Sequence, residues 1–367
     1  MNTRYIFSGV ATSLLSLVIA LFIGEIAIRA FWVPPSLLST QQTEEHPIYG
    51  WAPIPGISGR VVNMEFEYNF SHTAQGFRGS HLFTAKRPDG ISYRILFLGD
   101  SFTYGQGSED SEIFVEIIRA NIENSEIINS GTNGYGHRQE LAVLDTLGEV
   151  VEPDLVIQMF FWNDVEDNVK RSVPEFALSE TGNLMRKDIQ VPADYDPLAL
   201  RQATEISQAS ESNVWESKVW RKTYIYKLFK EGARGFRHRA FGGRKRSIQT
   251  AEQSDEAWAV TLELLKLTKK KADDIGAKFL LVSIPDYERV TPNGALKSQL
   301  PINIETEERL SALTEELGIN YFDLLPAMRE RQSATDTPLY FITDRHLTPE
   351  GNAAVAEILT PVIRSFL

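Results

Sequence analysis

A serine, a histidine and an aspartate stand in this sequence where they could carry covalent chemistry. Ser101 lies in GDSFTYGQG, residues 99–107, directly after the apolar run RILFL. Asp344 and His346 lie near the C-terminus in DRHLTPEGN. Between them, INSGTNGYG offers Gly131, Gly134 and Gly136, and FWND offers Asn163 and Asp164. Acyl transfer through a serine needs these types: a hydroxyl, a base, a carboxylate to orient the base, and amides to hold an oxyanion. Each piece alone has a plainer reading. Gly, Asp and Ser are ordinary residues of a turn after a strand, and a glycine can simply supply a positive φ. Asn163-Asp164 reads equally as a turn. Asp344 and His346 could only lead into a helix capped by Thr348 with Pro349 at its first position.

Composition narrows the chemistry. The 367 residues contain no cysteine, which excludes a thiol nucleophile, a disulfide framework and Cys-ligated zinc. A formal charge of −12 speaks against nucleic acid as a partner. With 43% hydrophobic residues the chain can bury a substantial core. Of the other histidines, His46, His72, His81, His137 and His238, only His137 is near a predicted strand end, where it reads as a surface residue at a helix start. A metallophosphoesterase would need more ligands than these stretches offer. An α/β-hydrolase elbow would read G-x-S-x-G, whereas Ser101 sits in G-x-S-x-T.

The elements that must bring these residues together alternate between short apolar runs and helical periodicity. Strands are predicted at 94–100, 125–131, 153–164, 277–286 and 318–325. Helices are predicted at 111–124, 138–151, 255–276, around 304–317 and at 349–367. A polar insertion at about 165–250, with the basic patch ARGFRHRAFGGRKR at 233–246, interrupts the alternation. That patch could attract an anionic glycan or lipid headgroups, or could only balance an acidic domain. The pattern implies an α/β, doubly wound, flavodoxin-like five-stranded parallel sheet, whose ligands bind at the carboxyl ends of the strands. Ser101, the glycines and Asn163 all fall at such ends, with Asp344 and His346 in the loop after the fifth strand.

The N-terminus differs in kind. Residues 5–24, YIFSGVATSLLSLVIALFIG, carry no charge, and about 20 helical residues cover the roughly 30 Å hydrocarbon core of a bilayer. Arg4 before the run suits a cytoplasmic N-terminus, and no small-x-small cleavage site follows closely. The expected layout is a cytoplasmic N-terminus at 1–4, a transmembrane anchor at 5–24, a Pro- and Gly-rich tether and lead-in at 25–90, and one domain at 91–367.

Taken in order, the stretches resemble the blocks of the SGNH hydrolases, also called GDSL esterases. The GDS block puts Ser101 in the role of nucleophile, its own N–H contributing to the oxyanion hole. The second block puts Gly134 beside it as an N–H donor. The third, usually G-x-N-D, gives Asn163 as the amide donor. The last, usually D-x-x-H, gives Asp344 and His346 as acid and base. The resemblance covers about residues 75–367 and is nearest to membrane-tethered bacterial members, which carry similar GFR, RILxLGDSFTxG and NxGxxGYG stretches. Two departures stand out. Phe161 replaces the glycine of the third block. Asp344 and His346 are separated by one residue, a spacing similar to that of polysaccharide O-acetyltransferases in the superfamily. In an extended loop, residues i and i+2 point the same way, so Asp344 could still reach the His346 ring.

What the resemblance implies is a cofactor-free serine esterase in the periplasm or on the cell surface. It would remove O-acyl groups, with acetyl expected, from a cell-envelope or exported polysaccharide. One alternative is a polysaccharide O-acetyltransferase with the same triad, working with a membrane-bound acyltransferase partner. A second is a non-catalytic, membrane-tethered carbohydrate-binding protein. Tyr104 and Trp162 flank the expected site and could stack on a sugar ring, although packing is their plainer role.

Overall fold

The computed structural model describes residues 3–31, 39–170, 176–178, 184–186, 191–192, 194–201, 251–291 and 306–367. Most of the 165–250 insertion, including the basic patch and His238, lies outside the described residues. The chain divides into two units. The described part of the first is chiefly the helix Thr3–Phe31, which contains the apolar run 5–24 and leaves Leu14, Val18, Phe22 and Ile26 exposed. Among the described residues no helix is long and apolar enough to cross a membrane. The first part of the expected span, up to residue 11, has no described side chain.

The second unit takes in residues 41–61, 65–205 and 245–367. It begins inside the expected lead-in, because that stretch folds into two hairpins. Strands β1 (Thr43–His46) and β2 (Gly50–Pro53) pair antiparallel, and β3 (Ser58–Val62) pairs with β4 (Glu67–Ser71). Alternation in β4 buries Tyr68 and Phe70 and leaves Glu67 and Asn69 in solvent.

The main sheet follows. Its strands are β5 (Tyr93–Leu98), β6 (Ser125–Asn129), β7 (Leu155–Phe160), β10 (Lys278–Ser283) and β11 (Asn320–Asp323); β8 (Phe176–Leu178) and β9 (Leu184–Arg186) form a separate hairpin. All the pairings in the main sheet are parallel, in the order β11-β10-β7-β5-β6. Four of the five strands lie inside the segments whose apolar runs predicted them, and β5 begins one residue before its own. Alternate side chains enter opposite cores. Ile95 and Phe97 face the helices Phe114–Asn121, Leu325–Ser333 and Pro349–Arg364, while Leu96 and Leu98 face His137–Val143, Ala251–Asp274 and Thr306–Leu317. Burial on both faces explains why these strands read as unbroken apolar runs. Each fully buried leucine or isoleucine contributes about 1.5–3 kcal/mol, so the sheet is a stiff platform.

The connection from β5 leads to β6 on one side and the chain then returns to β7 on the other. That reversal is the switch point where such sheets open a crevice beyond their carboxyl ends. Strand β5, between β6 and β7, ends at the Ser101 turn, and these neighbours end at the Gly134 loop and at Asn163.

Candidate active site

Gly99 and Asp100 turn the chain sharply out of β5 into the short helix Ser101–Tyr104. A Cβ on Gly99 would come within 2.1 Å of the Thr103 hydroxyl oxygen, so only glycine allows this turn. Asp100 caps the helix, its Oδ1 accepting from the Phe102 N–H at 2.9 Å. Ser101 is thereby presented at the first position of the helix. Its hydroxyl lies 2.7 Å from Nε2 of His346, whose Nδ1 lies 2.5 Å from Oδ1 of Asp344. The carboxylate beside Nδ1 fixes the proton there and leaves Nε2 to accept from the serine. The structure thus joins Ser101, His346 and Asp344 in one hydrogen-bonded line across 245 residues of sequence.

The loop carrying Asp344 and His346 is closed by an antiparallel bridge between Tyr340 and Leu347. Inside it, Phe341 N–H donates to the His346 carbonyl at 2.9 Å and Arg345 N–H to the Phe341 carbonyl at 3.1 Å. The expected extended geometry is not what forms. Arg345 has φ +79, in the left-handed region that residues other than glycine occupy at a cost of about 1–2 kcal/mol. The kink, rather than strand-like alternation, is how two residues spaced i and i+2 meet here. Thr348 ends the loop, its hydroxyl accepting from Gly351 N–H at 3.1 Å, with Pro349 opening the last helix.

On the other side of Ser101, Gly134 adopts φ +80, which admits glycine at no steric cost. Its loop is tied to the first hairpin. Trp51 Nε1 donates to the Asn133 carbonyl at 3.0 Å, Asn133 Nδ2 to Gln42 Oε1 at 3.0 Å, and the Tyr135 hydroxyl to the Trp51 carbonyl at 2.7 Å. Asn163 opens the helix Asn163–Lys170 after β7. Its Nδ2 donates to Asp167 Oδ2, one turn on, at 3.0 Å, which fixes the amide and leaves a second N–H to be offered elsewhere. Phe161 packs its ring 4.2 Å from that of Phe102, which in turn lies 4.8 Å from the imidazole of His346. Phenylalanine in place of glycine therefore braces His346 through Phe102.

Two expectations fail. The ring of Tyr104 is 1% exposed, and its hydroxyl donates to His72 Nε2 and accepts from Gln42 Nε2, each at 2.8 Å. Tyr104 is a core residue and offers no face to a sugar. Trp162 is half-buried against Phe161. His137 is fully buried rather than on the surface, with Nε2 3.5 Å from Asp164 Oδ2, and burial pushes its pKa down. Around it lie carboxyls forced upward. Burial first, then the Asp164 carboxylate, raises Asp100 to about 7. Burial likewise raises Glu140 to about 8. His46 and His72 are lowered to about 4, chiefly by burial.

Glu65 was invisible in sequence, yet its carboxylate accepts from the backbone N–H of both Thr343 and Asp344, at 2.7 and 2.6 Å to Oε2. Asp167 was within reach of sequence reasoning, since i and i+4 share a helix face. Among the described residues, no cluster of His, Asp and Glu is placed to hold a metal ion.

Residues 244–366, about a third of the chain, match the family model described as SGNH hydrolase-like domain, acetyltransferase AlgX. No curated relative is similar enough to match the chain. Among solved structures, the chain is similar to a lipolytic protein of the G-D-S-L family from Veillonella parvula, at 15% identity and a TM-score of 0.41, over 73% of this chain and 97% of the other. It is also similar to LAE5, an alpha/beta hydrolase enzyme from the metagenome of Lake Arreo, at 12% identity and 0.41, over 74% and 94%. A third is Axe2, an acetylxylan esterase of Geobacillus stearothermophilus in a catalytic mutant form, at 15% and 0.39, over 74% and 94%. The segment that holds Asp344 and His346 is thus similar to an SGNH hydrolase-like domain over residues 244–366.

Proposed function

We propose that the chain is a membrane-anchored, extracytoplasmic serine esterase that removes O-acyl groups, acetyl foremost, from a cell-envelope or exported polysaccharide. The observation that carries this reading is the line from Ser101 Oγ through His346 to Asp344. Ser101 Oγ attacks the ester carbonyl while its proton passes to His346 Nε2, and Asp344 steadies the imidazolium through Nδ1–H. The oxyanion accepts from the N–H groups of Ser101 and Gly134 and from the free N–H of Asn163; losing one such donor typically costs about 10²–10³ in kcat. Collapse returns the proton to the departing sugar oxygen and leaves Ser101 acylated. A water, deprotonated by His346, then attacks the acyl carbonyl, releasing the acid and restoring the serine. Substrate class and location rest on family resemblance and on the apolar N-terminal helix.

Transfer to a sugar hydroxyl uses the same acyl-serine with a different acceptor. It is favoured by the acetyltransferase description of the matching family model and by the one-residue spacing of Asp344 and His346. In that reading a membrane-bound acyltransferase supplies the acyl group. The test follows acetate release from a small activated acetyl ester by the full chain, with and without oligosaccharide, beside Ser101→Ala. Ser101-dependent release in water alone is expected. Release only with oligosaccharide, and acetyl recovered on the sugar, would make transfer the activity. Release no faster than background from either protein would leave a non-catalytic carbohydrate-binding role.

A further inference from the structure

The acid and the base of the site sit on either side of a residue whose backbone favours another conformation. Arg345 is at φ +79, and inside the loop main-chain bonds brace it, from Arg345 N–H to the Phe341 carbonyl and from Phe341 N–H to the His346 carbonyl. A change of φ at Arg345 would shift the Asp344 carboxylate relative to Nδ1 of His346. Two clamps from outside the loop oppose this.

The first comes from the segment between β3 and β4. The Glu65 carboxylate accepts from Thr343 N–H and Asp344 N–H together, so it grips the two peptide units just before the kink. The second comes from the short helix Tyr287–Val290 that follows β10. The Arg345 guanidinium carbon lies 4.0 Å from the centre of the Tyr287 ring, and Nη2 lies 3.1 Å from Glu288 Oε1. A stacked, ion-paired guanidinium is held in both direction and plane. One clamp acts on backbone N–H groups just before the kink, the other on the side chain of the kink residue itself.

We propose that Glu65 and Arg345 are positioning residues for the acid–base pair, holding the loop 343–346 in the left-handed turn through which Asp344 meets His346. The inference rests on the reading of Ser101, His346 and Asp344 as the working triad. Neither residue touches the reacting atoms. Their effect is on how often the pair is aligned, which moves kcat and leaves ground-state binding of a small ester unchanged.

The experiment measures steady-state hydrolysis of a small activated acetyl ester by the full chain, with thermal midpoints taken in parallel. Glu65→Ala is expected to lower kcat at least ten-fold with KM within two-fold. Glu65→Gln, which keeps one carbonyl acceptor, should recover part of that loss and guards against a variant that merely folds badly. Arg345→Gly and Arg345→Ala separate side chain from backbone, because both remove the clamp but only glycine takes φ +79 freely. Arg345→Gly should therefore keep several-fold more kcat than Arg345→Ala. Undiminished kcat in Glu65→Ala, or equal loss in the two Arg345 variants, would overturn the proposal while Ser101-dependent turnover left the triad standing. Turnover that survives Ser101→Ala would instead sink the triad reading, and this inference with it.

Discussion

His346 meets Asp344 through one ring nitrogen, Ser101 through the other and the Phe102 ring across its face. Each contact was within reach of sequence except the last, which needed the packing of Phe161 to be known. Beneath them lies a group of buried acids with no part in the proposed proton transfer. Asp100 is at about 7 against an unperturbed 3.8, raised by burial and by Asp164. A folded-state pKa above the unfolded one means that the folded protein holds the extra proton. The stability Asp100 contributes is then complete below about pH 4 and is lost as pH rises through about 7. Glu140, at about 8, acts in the same sense, and His137, lowered by burial, acts in the opposite one. Asp100→Asn keeps an acceptor for the Phe102 N–H and removes the charge. Its melting temperature relative to wild type should climb between pH 5 and pH 8; a difference that stays flat over that range would mean that Asp100 does not titrate there.

At the scale of elements, the cap of the last helix makes a sharp expectation. Thr348 accepts from Gly351 N–H and donates to the Pro338 carbonyl at 2.7 Å, so its hydroxyl ties the helix start to the loop before it. Thr348→Ala should cost about 1 kcal/mol by urea unfolding; a loss below a few tenths would show the helix start to be held by Pro349 and packing alone. This cap was legible because threonine, proline and glycine stood at the right offsets. The five strands of the main sheet were legible for a similar reason, as apolar runs bounded by turn residues. The lead-in was not. Its strands are short and half-polar, and they are stabilised by pairing and by the underlying core of Ile54, Ile57, Phe66, Tyr68 and Phe70. Nor could local pattern reveal Glu65, whose partners are 278 and 279 residues away, or the kink at Arg345, which tertiary contacts impose.

For the whole molecule, the proposed anchor is the helix Thr3–Phe31. At 1.5 Å per residue it is about 44 Å long, more than the roughly 30 Å of hydrocarbon it would cross. The full chain should sediment with membranes and resist alkaline extraction, with the catalytic unit open to protease from the extracytoplasmic side. A mature N-terminus beyond Gly24, or release by alkali, would refute the anchor. The second unit gathers its candidate site from distant parts of the chain: Ser101 from the first strand of the main sheet, Gly134 and Asn163 from the next two, Asp344 and His346 from the last loop.

That wide gathering has a consequence during synthesis. Ser101 leaves the ribosome 245 residues ahead of His346. At about 5–20 residues per second this is a delay of roughly 12–50 s. Throughout it the nucleophile has no base, and the loop that will carry the base has no Glu65 grip until the two segments meet. Under the proposed triad, a nascent chain, or one truncated ahead of His346, can neither acylate itself nor cut esters.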